Sequence, residues 1–131
     1  MNAQPLTRYA LAAAATLLLS ADADACRSWR FGPTYTVTQS NGHRITLKDI
    51  SRNGDTFEAT TATAKANGEV SGTLEPDGRL KFTILWTSNS AGVYTAFVRA
   101  NGTVADGRTF DRAHPANWAT WTGGKISCAR P

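Results

Sequence analysis

The sequence predicts an all-β fold, a small antiparallel eight-stranded up-and-down β-barrel, with a two-sheet β-sandwich as the alternative. Six Asn-Gly or Asp-Gly pairs punctuate the chain, and such pairs favour hairpin turns. The segments between them are rich in Thr, Val, Ile and aromatic residues, which suit a pleated sheet, and several alternate apolar with polar residues. A meander of eight short strands must hide its two edges, and closure into a barrel does so.

The predicted strands cover about 34–39, 44–50, 55–64, 69–75, 79–87, 93–100, 103–110 and 117–128. Alternation is clearest in 79–87, where one face carries Leu80, Phe82, Ile84 and Trp86. Alanines in 59–66 favour a helix, but the threonines and flanking turns there favour a strand. The last segment is one strand, or two if Gly123-Gly124 breaks it.

The turn signals predict type I′ hairpins, in which both central residues have positive φ. The pairs are Asn41-Gly42, Asn53-Gly54, Asn67-Gly68, Asp77-Gly78, Asn101-Gly102 and Asp106-Gly107. We therefore expect each pair to lie at the centre of a tight turn between neighbouring strands.

Residues 1–25 have the organisation of a secretory signal peptide. Arg8 precedes a short apolar run over 9–19, and Ala23-Asp24-Ala25 is an A-x-A cleavage site. The apolar run is shorter than the ~20 residues that span a bilayer, and no later segment is a better candidate. We expect a secreted or periplasmic protein that does not span a membrane, with one β-barrel domain over 26–131.

The two cysteines, Cys26 and Cys128, bracket this domain and predict one disulfide, because exported proteins meet an oxidising compartment. Closing a loop of ~100 residues would contribute roughly 4–5 kcal/mol in the chain-entropy model. Lipidation of Cys26 is the alternative. A lipoprotein signal normally carries a larger aliphatic residue where this chain has Ala23, and a small neutral one where it has Asp24, so the disulfide is favoured.

The charge distribution argues against a nucleic-acid partner. Removal of residues 1–25 takes away one Arg and two Asp, so the formal charge rises from +4 to +5. Proteins that bind nucleic acids usually concentrate their Lys and Arg in one patch, whereas these are dispersed. The surplus serves solubility or, alternatively, affinity for an acidic surface such as a cell envelope.

The sequence shows no pattern typical of an enzyme, a metal site or a cofactor site. His43 lies in a predicted turn, and the pair of Asp111 and His114 has no evident third ligand. No Ser stands in a G-x-S-x-G context, and the glycines lie in predicted turns rather than in a phosphate-binding loop. We therefore predict a non-enzymatic binding protein without a cofactor.

Eight-stranded barrels either fill with side chains or hold one small ligand, and each case predicts a different site. In the first prediction, a small apolar or aromatic ligand contacts the aromatic residues of the barrel, with Thr95 or Asp111 as polar anchor. The predicted site residues are Phe82, Trp86, Thr95, Phe97, Asp111 and Trp118.

In the alternative, the barrel is filled and the rim loop 107–118 docks on a protein or an envelope polymer, as a secreted inhibitor would. This loop combines charge, aromatic residues and Pro in the longest connection of the chain. It can equally be a lid, in which Asp111 caps backbone N–H groups and Arg112 pairs with Asp111.

Four segments resemble the avidin and streptavidin family. Residues 29–38 are similar to that family's opening strand, 68–74 to its G-x-v-s-G-t strand, 80–86 to the strand that ends in a biotin-lining Trp, and 95–97 to a Thr-x-Trp-like element. The resemblance implies the barrel and places Trp86 at a ligand. It does not imply biotin, because Pro33 stands where the family has the Ser that binds the ureido oxygen.

Overall fold

The computed structural model describes Cys26 and residues 28–129, so the predicted signal peptide lies outside the described residues. Within this range the chain is all-β. Its ten strands are β1 (Ser28–Arg30), β2 (Tyr35–Gln39), β3 (Arg44–Asn53), β4 (Thr56–Ala62), β5 (Asn67–Leu74), β6 (Arg79–Trp86), β7 (Ala91–Val98), β8 (Val104–Asp111), β9 (Trp118–Gly123) and β10 (Ser127–Ala129). No helix long and apolar enough to cross a membrane occurs in the described range.

Strands β2 to β9 form a closed antiparallel barrel in sequential order. The barrel closes between β2 and β9, where Val37 pairs with Gly123 and Gln39 with Trp121. This confirms the up-and-down barrel and excludes the two-sheet sandwich. Each barrel strand has a neighbour on both sides, so the closed sheet leaves no edge. The limits of the barrel strands agree with the predicted ones to within three residues, whereas β1 was not predicted. The chain breaks between β9 and β10 after Gly123, as one of the two predictions for 117–128 had it.

Three of the predicted turns share one construction, which is not the type I′ turn. Their glycines have positive φ: 92° at Gly42, 98° at Gly78 and 88° at Gly102. The Asn or Asp before each glycine instead uses its side chain, whose Oδ1 accepts a hydrogen bond from the backbone N–H two residues later, at 3.0 to 3.2 Å. Because the side chain supplies this acceptor, only the glycine needs the left-handed conformation.

Two predicted turn pairs lie inside strands, which corrects the prediction. Asn67-Gly68 belongs to β5, and Asp106-Gly107 belongs to β8. Asp106 has a φ of 57° where the register of β8 shifts against β7, so this pair forms a β-bulge. A Cβ atom on Gly107 would collide with the carbonyl oxygen of Trp121. Glycine is required there by close approach of two backbones rather than by a change of chain direction.

Aromatic side chains fill the middle of the barrel. Phe82 is 1% exposed, and its ring stacks on that of Tyr94 with centroids 4.7 Å apart and an angle of 3° between planes. The rings of Phe57 and Trp121 each lie 6.1 Å from Phe82 at steep angles. Such pairs add roughly 0.5–1.5 kcal/mol each beyond the burial of their area. The central part of the barrel is therefore filled with side chains and leaves no room for a ligand.

The strands β1 and β10 pair with each other across one end of the barrel, which we call the closed end. The predicted disulfide joins Cys26 to Cys128 there. It lies at this separate two-stranded sheet and not within the barrel itself. The indole N–H of Trp29 donates to the Glu75 carbonyl at 3.0 Å, and the Ile126 N–H donates to the Gly102 carbonyl at 2.9 Å. Hairpin turns of the barrel thereby hold the small sheet in place.

A candidate binding site at the open end of the barrel

The opposite end of the barrel, the open end, contains a cavity of about 520 Å³, which we call the cup. It lies between the loops that follow β2, β6 and β8, and its volume is within the range usual for small-ligand sites. Its lining consists of amide, hydroxyl, aromatic and small side chains and one carboxylate: Gln39, Asn41, Trp86, Ser90, Ala91, Gly92, Tyr94, Thr109, Phe110, Asp111, Ala116, Asn117, Trp118 and Ala119.

Tyr94 marks the boundary between the cup and the filled barrel. Its ring packs on Phe82 below, and Gln39 Nε2 donates to its hydroxyl oxygen at 2.7 Å. Burial raises the pKa of Tyr94, while hydrogen bonds from Thr109 and Gln39 act in the opposite direction. The bottom of the cup is therefore a neutral, hydrogen-bonding surface supported from beneath by an aromatic ring.

Trp86 forms one wall of the cup and owes its position to a glycine. A Cβ atom on Gly68 would lie 3.0 Å from Trp86 Cε3, 2.7 Å from Ile84 Cγ2 and 2.9 Å from Thr61 Cγ2. The contacts with Ile84 and Thr61 are too short for a real Cβ, and the contact with Trp86 would be tight. The absence of a side chain at residue 68 therefore lets the indole pack closely across β5. The sequence pattern predicted a turn at Gly68 and a strand from residue 69, so this contact was missed.

The loop after β8 forms the rim. It is shorter than the predicted rim loop 107–118, because 107–111 belong to β8 and Trp118 begins β9. Asp111 Oδ1 accepts hydrogen bonds from the backbone N–H groups of Ala113 at 2.8 Å and His114 at 3.3 Å. This confirms the capping role predicted for Asp111. The predicted pairing with Arg112 is wrong, because among the described ion pairs Asp111 faces only His114, at 3.9 Å. The backbone N–H of Arg112 donates to the Ala91 carbonyl, and this hydrogen bond fixes the rim loop to β7.

Trp118 lies where the cup meets the outer surface. Its side chain is 55% exposed, and the Arg108 guanidinium lies 4.3 Å from the centre of its ring. The neighbouring outward position on β8 is Phe110, which is opposite Trp118 in the strand register. A cation over an indole face is a favourable contact that holds the ring in place at the rim.

A second cavity, of about 610 Å³, lies on the other side of Trp86, and we call it the groove. Besides Trp86, Gly68 and Thr61, it is lined by a cross-strand row of outward residues: Lys48, Thr60, Glu69 and Leu85. The groove therefore runs from the open end onto the outer surface of β3 to β6. It is larger than the cup, but the cup collects more of the convergent polar groups.

The structure brings together three of the six predicted site residues. Trp86, Asp111 and Trp118 line the cup. Phe82 lies beneath it in the filled core. Thr95 and Phe97 point outward, because Tyr94 and Ala96 take the inward positions of β7.

Several lining residues were missed by sequence reasoning: Gln39, Asn41, Ser90, Thr109 and Asn117. Gln39 did carry a signal, since it follows Tyr35 and Val37 at the third inward position of β2 and is the only polar member of that face. A polar residue on an otherwise apolar inward face indicates that solvent reaches this end of the barrel interior. Thr109 is a buried position of β8 and was not considered. Asn41, Ser90 and Asn117 lie in loops, where alternation carries no information.

The polar groups of the cup are suited to binding by hydrogen bonds. They are amides, hydroxyls and one carboxylate, and that carboxylate already accepts bonds from the rim loop. Among the described residues, no group of three or more His, Cys, Asp or Glu side chains is placed to hold a metal ion.

No protein-family model matches this chain, and no curated protein or solved structure matches it either. The resemblance to the avidin and streptavidin family therefore stays a prediction from the sequence. The functional assignment rests instead on the geometry of the cup and the groove.

Proposed function

We propose that this chain is an exported, non-enzymatic binding protein that holds one small, polar, uncharged ligand in the cup. The observation that carries the proposal is the position of Trp86, whose indole lines a cavity in which amide and hydroxyl groups converge beside one carboxylate. An aromatic wall with a few convergent polar groups is what a small-ligand site requires.

The location of the cavities argues for the open end rather than the barrel interior. Phe57, Phe82 and Trp121 occupy the space that a ligand deep in the barrel would need. A wholly apolar ligand in the cup would offer no partner to the amide of Asn117 or to the Gln39 oxygen, and burying such groups unpaired is costly. The proposal therefore changes the expected ligand from apolar or aromatic to polar with one apolar face.

Export is supported by two independent features. The leader over 1–25 has the pattern of a signal peptide. The Cys26–Cys128 disulfide is consistent with an oxidising extracellular or periplasmic environment. A ligand met outside the cytoplasm fits a cup that opens directly to solvent.

The test is native mass spectrometry of the protein purified from the secreted or periplasmic fraction of its own host, beside a denatured spectrum. We expect a small mass that is lost on denaturation. It should be absent from the Trp86→Ala variant and retained in Phe97→Ala, which removes an exposed aromatic residue outside the cup. A ligand retained equally by both variants would place binding elsewhere and contradict the proposal.

The exposed rim favours a second candidate function, docking on a protein through the rim loop. Trp118 is largely exposed and is braced by Arg108, as anchors of protein interfaces often are. Replacing Arg108 and Arg112 with Ala alters the rim without removing a residue that lines the cup. Loss of partner capture in this variant, with ligand binding intact, would support docking over ligand storage.

A further inference from the structure

We infer that the ligand is the end of a neutral pyranose glycan, which sits in the cup, passes over Trp86 and continues into the groove. This inference rests on the proposed binding function and names its ligand class. It is carried by the chemistry of the cup, by its charge, and by the fact that the two cavities share one tryptophan.

The cup has the two kinds of surface that a sugar ring needs. One face of a pyranose presents C–H groups, which pack on an aromatic ring such as that of Trp86. Its edge presents hydroxyl groups, each of which both donates and accepts hydrogen bonds. The amides of Gln39 and Asn117 also offer both functions, and Gln39 holds the Tyr94 hydroxyl by a hydrogen bond from its Nε2.

The charge of the cup favours a neutral ligand. The chain carries a net positive charge, yet none of the cup residues in the described part of the chain is a Lys or Arg. The one carboxylate of the cup, that of Asp111, already accepts hydrogen bonds from the rim loop. An anionic sugar or a phosphate would find no counter-charge there. The groove contains one residue of each sign, Lys48 and Glu69, so it does not select for charge either.

The arrangement of the two cavities favours a chain rather than a single ring. Trp86 lines both the cup and the groove, so a ligand that contacts one side of the indole can continue past it. Leu85 gives the groove an exposed apolar wall, and its side chain is 48% exposed. Thr60 and Thr87 supply hydroxyls along the same path.

A peptide chain is a poorer fit to these cavities. Extended peptides usually bind by adding a strand to a free sheet edge, through backbone hydrogen bonds. The barrel is closed, and each of its strands is already paired on both sides. Recognition at the open end must therefore use side chains, which suits a ligand covered in hydroxyl groups.

The experiment uses three neutral series of one to four sugar units, built from glucose in α-1,4 linkage, glucose in β-1,4 linkage and N-acetylglucosamine in β-1,4 linkage. Binding is measured by calorimetry and by tryptophan emission. We expect at least one series to bind, with affinity rising at least tenfold from one unit to four. Tetragalacturonate, a matched anionic probe, should bind more weakly, and tetra-alanine should not bind.

Four variants locate the site. Trp86→Ala should weaken binding of short and long sugars at least tenfold, and Tyr94→Phe should weaken both several-fold while keeping the ring stacked on Phe82. Leu85→Ala should weaken only the longer sugars. Phe97→Ala, which removes a comparably exposed apolar side chain near the closed end, should change neither.

Three results would overturn the inference: no binding of any neutral series at millimolar concentration, affinity that does not depend on chain length, or equal effects of Leu85→Ala and Phe97→Ala on the tetrasaccharide. Failure of the glycan inference is separable from failure of the proposed function. Suppose that the native spectrum shows a bound ligand that is not a sugar, and that Trp86→Ala lacks it. This result would contradict the glycan inference and support the proposed binding function.

Discussion

Gly68 shows how much a single missing side chain decides at the open end. In Gly68→Ala, the new Cβ would press on Ile84, which is fully buried, and on the Trp86 ring. We expect a loss of about 1–3 kcal/mol in the free energy of unfolding, the usual cost of overpacking a core, together with a shift in tryptophan emission. Chemical denaturation followed by tryptophan fluorescence measures both the free energy of unfolding and the emission shift.

The control for Gly68→Ala is Gly124→Ala. A Cβ atom on Gly124 meets no heavy atom within 4 Å, and this glycine does not have positive φ. The free energy of unfolding of Gly124→Ala should equal that of the unsubstituted protein. Equal destabilisation of the two variants would show that loss of glycine, and not crowding under Trp86, is responsible.

Arg52 has a comparable influence at the closed end. Its guanidinium donates to the carbonyl oxygens of Trp29 at 2.8 Å and Gly54 at 3.0 Å, which joins β1 to the β3–β4 turn. Arg52→Met keeps much of the aliphatic length and removes these donors. We expect a loss of about 1.5–3 kcal/mol, as for hydrogen bonds made by charged groups, measured by urea unfolding. Exposed Arg99→Met should have almost no effect.

At the scale of elements, the β1–β10 sheet is an addition to a barrel that closes without it. Cys26→Ser with Cys128→Ser should lower the free energy of unfolding by roughly 4–5 kcal/mol in the chain-entropy model. The far-ultraviolet circular dichroism should remain that of a barrel at low temperature, because strands β2 to β9 close on their own.

The same double variant should expose Trp29, which is buried against the closed end. Acrylamide quenching of tryptophan emission is the measurement, since quenching should rise as β1 detaches. An unchanged quenching constant with unchanged stability would mean that packing of Trp29 and Ile126 alone retains the sheet.

The elements also show what the sequence could predict. Period-two alternation and turn residues located the barrel strands, because both are local in the chain. The disulfide followed from two cysteines and an export signal. The cup did not follow, since it depends on which residues face inward where strands end, as with Gln39 and Thr95. The pair Asn67-Gly68 was wrongly predicted to form a turn for the same reason. Its glycine is needed for close packing against Ile84 and Trp86 on β6, which the local sequence does not reveal.

For the whole molecule, the tyrosines predict how stability depends on alkaline pH. Tyr35 and Tyr94 are the only tyrosines after residue 25, and burial raises the pKa of both. The free phenol has a pKa of ~10. Below that pH both states are protonated and the full stability is present. Above it the unfolded chain loses protons first, so stability should fall as pH rises towards the folded-state pKa values.

The measurement is the near-ultraviolet absorbance of phenolate, followed together with circular dichroism during an alkaline titration. We expect the two signals to change together, because neither phenol ionises freely in the folded barrel. Phenolate that appears well before the loss of β-structure would contradict the burial of at least one tyrosine. Tyr94→Phe should move the transition to higher pH.

The disulfide at the closed end also decides how this molecule could be oriented on a surface. Cys26 and Cys128 are adjacent there, so the polypeptide enters and leaves the described domain on the side away from the cup. A tag, a sensor support or a neighbouring domain attached at either end of the described domain would present the cup outward. Both ends are thus usable attachment points, and on the N-terminal side the attachment belongs after the predicted cleavage site at Ala25.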